Sequence, residues 1–384
     1  MKYKNIEVFL ALVRAGLWMV KGEGFLDEPS GKAERTVHGF SGVDWEEVYR
    51  LAEEQSVDGL LAAGIDNLNL DVPLELKLNI IGEALQIEQR NNAMNEFVAR
   101  LLSHLRKEGI YAVLVKGQGI AQCYEKPLWR ASGDVDLLLD AENYEKAKVS
   151  LVPLATDIER EEKLKLHQAF AVGQWEVELH GTLRGTWSER VDRVVDEVQA
   201  DTFDNGHVRV WKNGEVDVIL PSCDNDIIFV FTHILQHFFL EGIGLRQVCD
   251  WCRLMWTYRD KLDLDLLESR LQKMGLMREW RSFAALAVDW LGMPEEAMPL
   301  YSSARKWRRK AQRIVSLIIE TGNFGHNRDM SYKQRDPFFV RIVKSFWRHT
   351  KDGVKQFIIF PIDSLMVWMI IVRMGTRVIV NKLR

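Results

Sequence analysis

Residues 133–139, GDVDLLL, place two aspartates one residue apart at the head of an apolar run. In a strand, alternate side chains share a face, so Asp134 and Asp136 point one way and Val135 and Leu137 the other. Two carboxylates held side by side repel each other and lose hydration, which is costly without a counter-charge. A divalent cation supplies one. Hard oxygen ligands suit Mg²⁺ or Mn²⁺, which keep several waters and take phosphate oxygens as further ligands. A second alternating run, WEVELH over 175–180, puts Glu176, Glu178 and His180 on one face. Laid beside VDLLL, it would add a third carboxylate, with Glu178 and Glu176 as rivals. Three carboxylates can hold two ions roughly 4 Å apart, an arrangement that serves phosphoryl transfer.

Upstream, VLVKGQG ends an apolar run in a turn containing Gly117 and Gly119. If this turn opens a helix, backbone N–H groups and the positive end of the helix dipole converge on one spot, which suits a phosphate. Lys116 adds a point charge. Arg130 offers a planar fork that can hold two phosphate oxygens, or can pair with Asp134 and fix the loop. His180 reads either as a ligand-facing hydrogen-bonder or as a strand end, and His167, which opens the partner strand, as structural.

The stretch VLVKGQGIAQCYEKPLWRASGDVDLLLDAENYEKAKVSL, followed by VELH, resembles a bacterial family of nucleotidyltransferases in the DNA polymerase β-like superfamily. Members share a Lys-Gly turn, a Tyr then a Pro, an Arg, the Asp-x-Asp strand and a Glu-Leu-His strand. The resemblance covers residues 105–185 and extends more loosely to HILQHFFLEGIGLRQVCDW. It implies that Asp134 and Asp136 bind metal, that Glu178 is the third carboxylate, and that Gly117 belongs to a nucleotide-holding turn. The implied activity moves a nucleoside monophosphate from an NTP to an acceptor, with release of pyrophosphate and two Mg²⁺ or Mn²⁺ ions. A protein, a small molecule or an RNA end would each fit as acceptor. Gln118 stands where the superfamily usually has Gly or Ser, and the interval to Asp134 is longer than usual. The alternative these departures raise is a non-catalytic nucleotide-binding or scaffold protein.

The elements that must position these residues follow from periodicity. Helical spacing dominates up to about residue 109. YAVLV (111–115) and VDLLL read as buried strands, AENYEKAKVSLVPL as a helix. HQAFAVGQWEVELHG reads as a hairpin turning at Gly173 and Gln174, and HVRVW with EVDVIL as another. From Asp224 onward the pattern is helical. The expected fold is α+β: a small mixed-sheet unit over 105–222, polymerase β-like as the resemblance implies, a helical lead over 1–104, a helical region over 223–300 that packs on the unit, and a basic helical region over 301–384.

With 384 residues, 47% hydrophobic, and 13 tryptophans, the chain is expected to be globular rather than disordered. Four scattered cysteines make no disulfide framework, so a reducing cytoplasm is expected. Cys249 and Cys252 in CDWC read as two packed thiols. His233 and His237, four apart, read as core or cleft-lining groups, and Arg246 with Asp250 as an intrahelical ion pair. Ile6, Phe9, Leu10, Leu12, Val13 and Leu17 recur at helical spacing, which predicts a helix there instead of a cleaved leader.

Charge divides the chain. Residues 301–384 carry 18 Lys and Arg against 5 Asp and Glu, a net of +13, and the rest carries 33 against 50, a net of −17. Such a tail suits an anionic membrane surface, nucleic acid or an acidic partner, with docking onto the acidic body as the competing expectation. FIIFPIDSLMVWMIIVRMGTRVIVNKLR is the most apolar stretch, but Asp363, Arg373 and Arg377 interrupt it. It is therefore read as an interfacial or body-packing helix starting at Pro361, which makes attachment at the inner membrane surface the second expectation for location.

Overall fold

A computed structural model describes residues 2–20, 24–25, 42–163, 165–328, 330–331 and 335–383. Lys21 of the N-terminal stretch and Asp329, Lys333 and Arg384 of the basic tail lie outside the described residues. The fold mixes helices with a five-stranded mixed sheet, as the α+β expectation requires.

Among the described residues four helices lead the chain: α1 (Lys2–Trp18), α2 (Trp45–Gln55), α3 (Asp58–Asn67) and the 34-residue α4 (Leu74–Lys107). A short ladder pairs β1 (Met19–Val20) with β2 (Gly24–Phe25). The sheet begins with β3 (Val113–Val115), two residues shorter than the YAVLV run because Tyr111 is exposed and outside the ladder. A short helix, α5 (Gly117–Ala121), precedes β4 (Asp134–Leu138). Asp140 then ends the apolar run by capping α6 (Ala141–Leu151), its carboxylate accepting from the Asn143 N–H. Strands β5 (Asp157–Ile158), β6 (His167–Val172) and β7 (Trp175–His180) complete the sheet in the order β3-β4-β7-β6-β5.

The β6–β7 hairpin turns at Gly173 and Gln174, with Gly173 at φ 62°, the left-handed backbone such a turn needs. β7 also pairs parallel to β4, so the WEVELH strand does lie beside VDLLL. Next come α7 (Glu189–Phe203) and a separate hairpin, β8 (Val208–Asn213) with β9 (Val216–Pro221). The remainder is helical: α8 (Cys223–Leu240), α9 (Leu245–Tyr258), α10 (Leu264–Met274), α11 (Met277–Asp289), α12 (Arg305–Thr321), α13 (Phe338–Phe357) and α14 (Pro361–Leu383).

Alternation assigns each face of the sheet to a layer. Leu114, Val135, Leu137, Val177 and Leu179 share one core with Phe97, Leu101 and Leu105 of α4 and Tyr144 of α6. Val113, Val115 and Leu138 face the other way, into the core built by α8 and its neighbours. Asp134 and Asp136 share the Leu138 face, so the acids look toward the back-half helices. Cys249 and Cys252 are buried free thiols in that core, and burial raises both pKa values, leaving them unreactive.

Candidate active site

Register brings the acids together. Asp136 of β4 is the direct neighbour of Glu178 of β7, and Asp134 that of Glu176. Asp134, Asp136 and Glu178 each offer an oxygen, and these lie within 4.8 Å of one another. Glu176 is exposed outside this group, so the geometry selects Glu178 from the two rivals. Asp136 is only 2% exposed, and two cationic groups meet it: Lys116 Nζ at 2.6 Å and His180 Nε2 at 2.8 Å from the same Oδ1.

The electrostatics follow from that crowding. Repulsion by Asp136, with burial second, raises the pKa of Asp134. Burial alone would raise that of Glu178, yet hydrogen bonds from His167 and His180 drive it well below the ordinary carboxylate range. His167 Nε2 lies 3.2 Å from Glu178 Oε2, and His180 Nε2 lies 3.3 Å from it. Burial opposes the charged forms of His180 and Lys116, but the acids outweigh it and raise both. Lys116 and His180 thus offset part of the repulsion among the three carboxylates.

Lys116 reaches the acids from a strained turn. Its backbone sits at φ 57°, ψ −144°, a region few side-chain-bearing residues adopt, and Gly117 follows at φ 38°. A Cβ on Gly117 would meet only the Asp134 carbonyl oxygen, at 3.6 Å, so glycine is required by the backbone angle and not by space. Gly117→Ala should cost roughly 1–2 kcal/mol, read from urea unfolding. At Gly119 space decides instead, since a Cβ would stand 2.7 Å from Leu220 Cδ2 of β9.

The turn differs from the expected phosphate cradle. α5 has five residues, too few to build the full macrodipole expected of a helix opening there. Gln118, buried, donates to Asn91 Oδ1 at 3.0 Å, and Asn91 in turn donates to the carbonyls of Leu128 and Arg130. Gln118 thus ties α4 to the loop before β4.

Arg130 is held elsewhere than anticipated. Its Nε and Nη2 bond the two oxygens of Asp250 at 2.9 and 2.7 Å, and Nη1 bonds Ala131 O and Ser132 Oγ. This buried fork corrects one expectation, since Arg130 pairs with Asp250 and not with Asp134, while Arg130 still lines the cleft beside the acids. Asp250 is therefore not the intrahelical partner of Arg246, which donates from Nη1 to Ala131 O at 2.9 Å while its buried Nε has no hydrogen-bond partner. A bidentate buried pair outcompetes a one-turn contact on the same helix.

A small cleft with room for about 60 Å³ of water is lined by Lys116, Gly117, Arg130, Asp134, Asp136, Arg246, His233 and Phe324. His233 Nε2 lies 3.5 Å from Lys116 Nζ and 3.1 Å from His237 Nε2. Burial, then the charge of Lys116, holds the His233 pKa well below its ordinary value, so it stays neutral and can accept from the lysine. Phe324 is 50% exposed at φ 48°, with its ring 5.0 Å from that of His237.

A sequence model of uncharacterised nucleotidyltransferases matches residues 41–292, most of the chain. The chain belongs to this nucleotidyltransferase family. No curated protein and no solved structure shows a significant match. The matched span takes in every carboxylate of the cluster, Lys116, both histidines at Glu178, His233 and Arg246; Phe324 and the basic tail fall beyond it.

Sequence reasoning singled out Asp134, Asp136, Glu178, Lys116 and His180, which the fold brings to one place. It also read His233 as a core or cleft-lining group, and His233 does line the cleft, but it gave no chemical role to His167, Arg246 or Phe324. His167 was accessible in principle, because the hairpin register pairs it with His180. Arg246 was marked only by its spacing to Asp250, which suggested a different role, and Phe324 comes from a loop far along the chain with no local pattern pointing to the cleft.

Proposed function

We propose that this nucleotidyltransferase uses Mg²⁺ or Mn²⁺ and a polymerase β-like centre to move a nucleoside monophosphate from an NTP to a hydroxyl acceptor. The observation that carries this reading is the register pairing of Asp136 with Glu178, which joins the cleft-lining Asp134 and Asp136 carboxylates to a third. Three hard oxygen donors fit a divalent metal, and Asp134, Asp136 and Glu178 would hold it. Such an ion lowers the pKa of an acceptor hydroxyl and offsets charge on a pyrophosphate leaving group.

The chain's own groups have distinct tasks. Lys116 and Arg246 face the cleft and attract the anionic triphosphate. His167 and His180 both meet Glu178 Oε2 and orient that carboxylate, as outer partners of a ligand do. The acceptor oxygen bonds to the α-phosphorus, the bond to pyrophosphate breaks, and the hydroxyl proton leaves to water.

Phe324 offers its exposed ring to the base. Phe324→Ala should then raise KM for the NTP about tenfold, from the roughly 1–3 kcal/mol that base–aromatic stacking supplies, with kcat nearly unchanged in steady-state assays.

The decisive experiment incubates purified protein with each α-labelled NTP and Mg²⁺ or Mn²⁺, alone and with cell extract. Label transfer with pyrophosphate release, blocked by EDTA, is expected. Metal-independent nucleotide binding without transfer under any condition would mark a binding or scaffold protein instead.

A further inference from the structure

We infer that α13 is a docking surface for an anionic phospholipid bilayer. Phe339, Val343, Trp347, Val354, Phe357 and Ile358 are all exposed large apolar side chains, Trp347 at 58%. At 3.6 residues per turn they fall within an arc of about 100°, one continuous stripe along the helix. Lys344, Lys351 and Lys355 border this stripe on one side. On its other side the helix meets α14, where Phe346 lies 6.2 Å from Trp368, and the body, where Gln356 donates to Phe238 O at 2.6 Å. The stripe is therefore the face that neither neighbour covers.

Charge selects the occupant. α13 carries Arg341, Lys344, Arg348, Lys351 and Lys355 against Asp352 alone. Lys344 and Lys355 make ion pairs with Asp336 and Glu320, but these are surface pairs of little strength. Aromatic and aliphatic side chains flanked by lysines are what a helix lying in the headgroup region presents. No helix among the described residues is long and apolar enough to cross a membrane, so the mode is lying on the surface. Two copies paired stripe to stripe would set lysines along the borders of both, a like-charge arrangement that opposes dimerisation through this face. Arg328, four residues after Phe324 at the cleft, pairs with Asp352 of α13 at 2.9 Å, so docking would bring the cleft to the bilayer.

Flotation of the full chain with phosphatidylcholine vesicles, and with the same vesicles containing phosphatidylglycerol, tests this surface. The chain should float with the anionic vesicles alone, and less so at high salt. Val343→Ser with Trp347→Ser should lower partitioning about tenfold or more through lost apolar burial. Lys344→Glu with Lys351→Glu should lower it about fivefold or more per site, while leaving the apolar stripe intact. Circular dichroism checks that both variants fold. No flotation, equal flotation with neutral vesicles, or flotation indifferent to both variants would overturn the inference. So would a dimer in light scattering that the serine variant dissolves while vesicle binding is absent.

Discussion

Replacing Asp136 by Asn is expected to abolish nucleotidyl transfer, lowering kcat by about a thousandfold or more while the protein still folds. The substitution keeps the shape of the side chain but removes the charge at the centre of the cluster. Asp136 is the most enclosed of the three acids, and it receives both Lys116 and His180. Losing that charge weakens the hold on any cation and leaves the developing charge of a phosphoryl transition state uncompensated. Single-turnover transfer of α-label measures the loss, with urea unfolding alongside it to show that the fold survives. Activity within tenfold of the parent would show that Asp136 does not hold the reacting groups.

The largest effect on stability belongs to Asp250. Asp250→Ala should destabilise the protein by about 3–5 kcal/mol, the usual cost of stranding one member of a buried ion pair. Both side chains of the Arg130–Asp250 pair are 6% exposed, and Tyr124 also donates to Asp250 Oδ1 at 2.8 Å. Removing the carboxylate leaves a guanidinium and a phenol unsatisfied inside the protein. Arg130 lies four residues before Asp134, so α9 clamps the loop that delivers the first acid, while Asn91 holds the same loop from α4. Transfer activity should fall with stability. The double variant Arg130→Met/Asp250→Leu, which removes both charges, should recover part of the stability in urea unfolding. No recovery would mean that the pair is not what the loop depends on.

These two residues also mark where the sequence was legible. Asp136 was conspicuous because alternation and like-charge spacing act within a few residues, and the same local physics exposed VELH and the turn at Gly173. Asp250 was misjudged because its local partner, Arg246, lies one turn away, whereas its actual partner lies 120 residues upstream. Burial decides that competition, and burial is tertiary. The Lys-Gly turn shows a similar limit. Glycines announced an unusual backbone, but the five-residue length of α5 and the role of Gln118 depend on Asn91 and on Leu220, which packs against Gly119. Phe324 lies in GNFG, where flanking glycines hint at a tight turn without indicating that its ring borders the cleft.

The proposed transfer requires the three carboxylates to share a cation, and Mn²⁺ binding reads this directly. Titrating the protein with Mn²⁺ and following the free ion by electron paramagnetic resonance should show binding that strengthens with NTP present. Asp134→Asn and Asp136→Asn should each remove it. Absence of binding with and without NTP, or binding that survives both substitutions, would contradict the account.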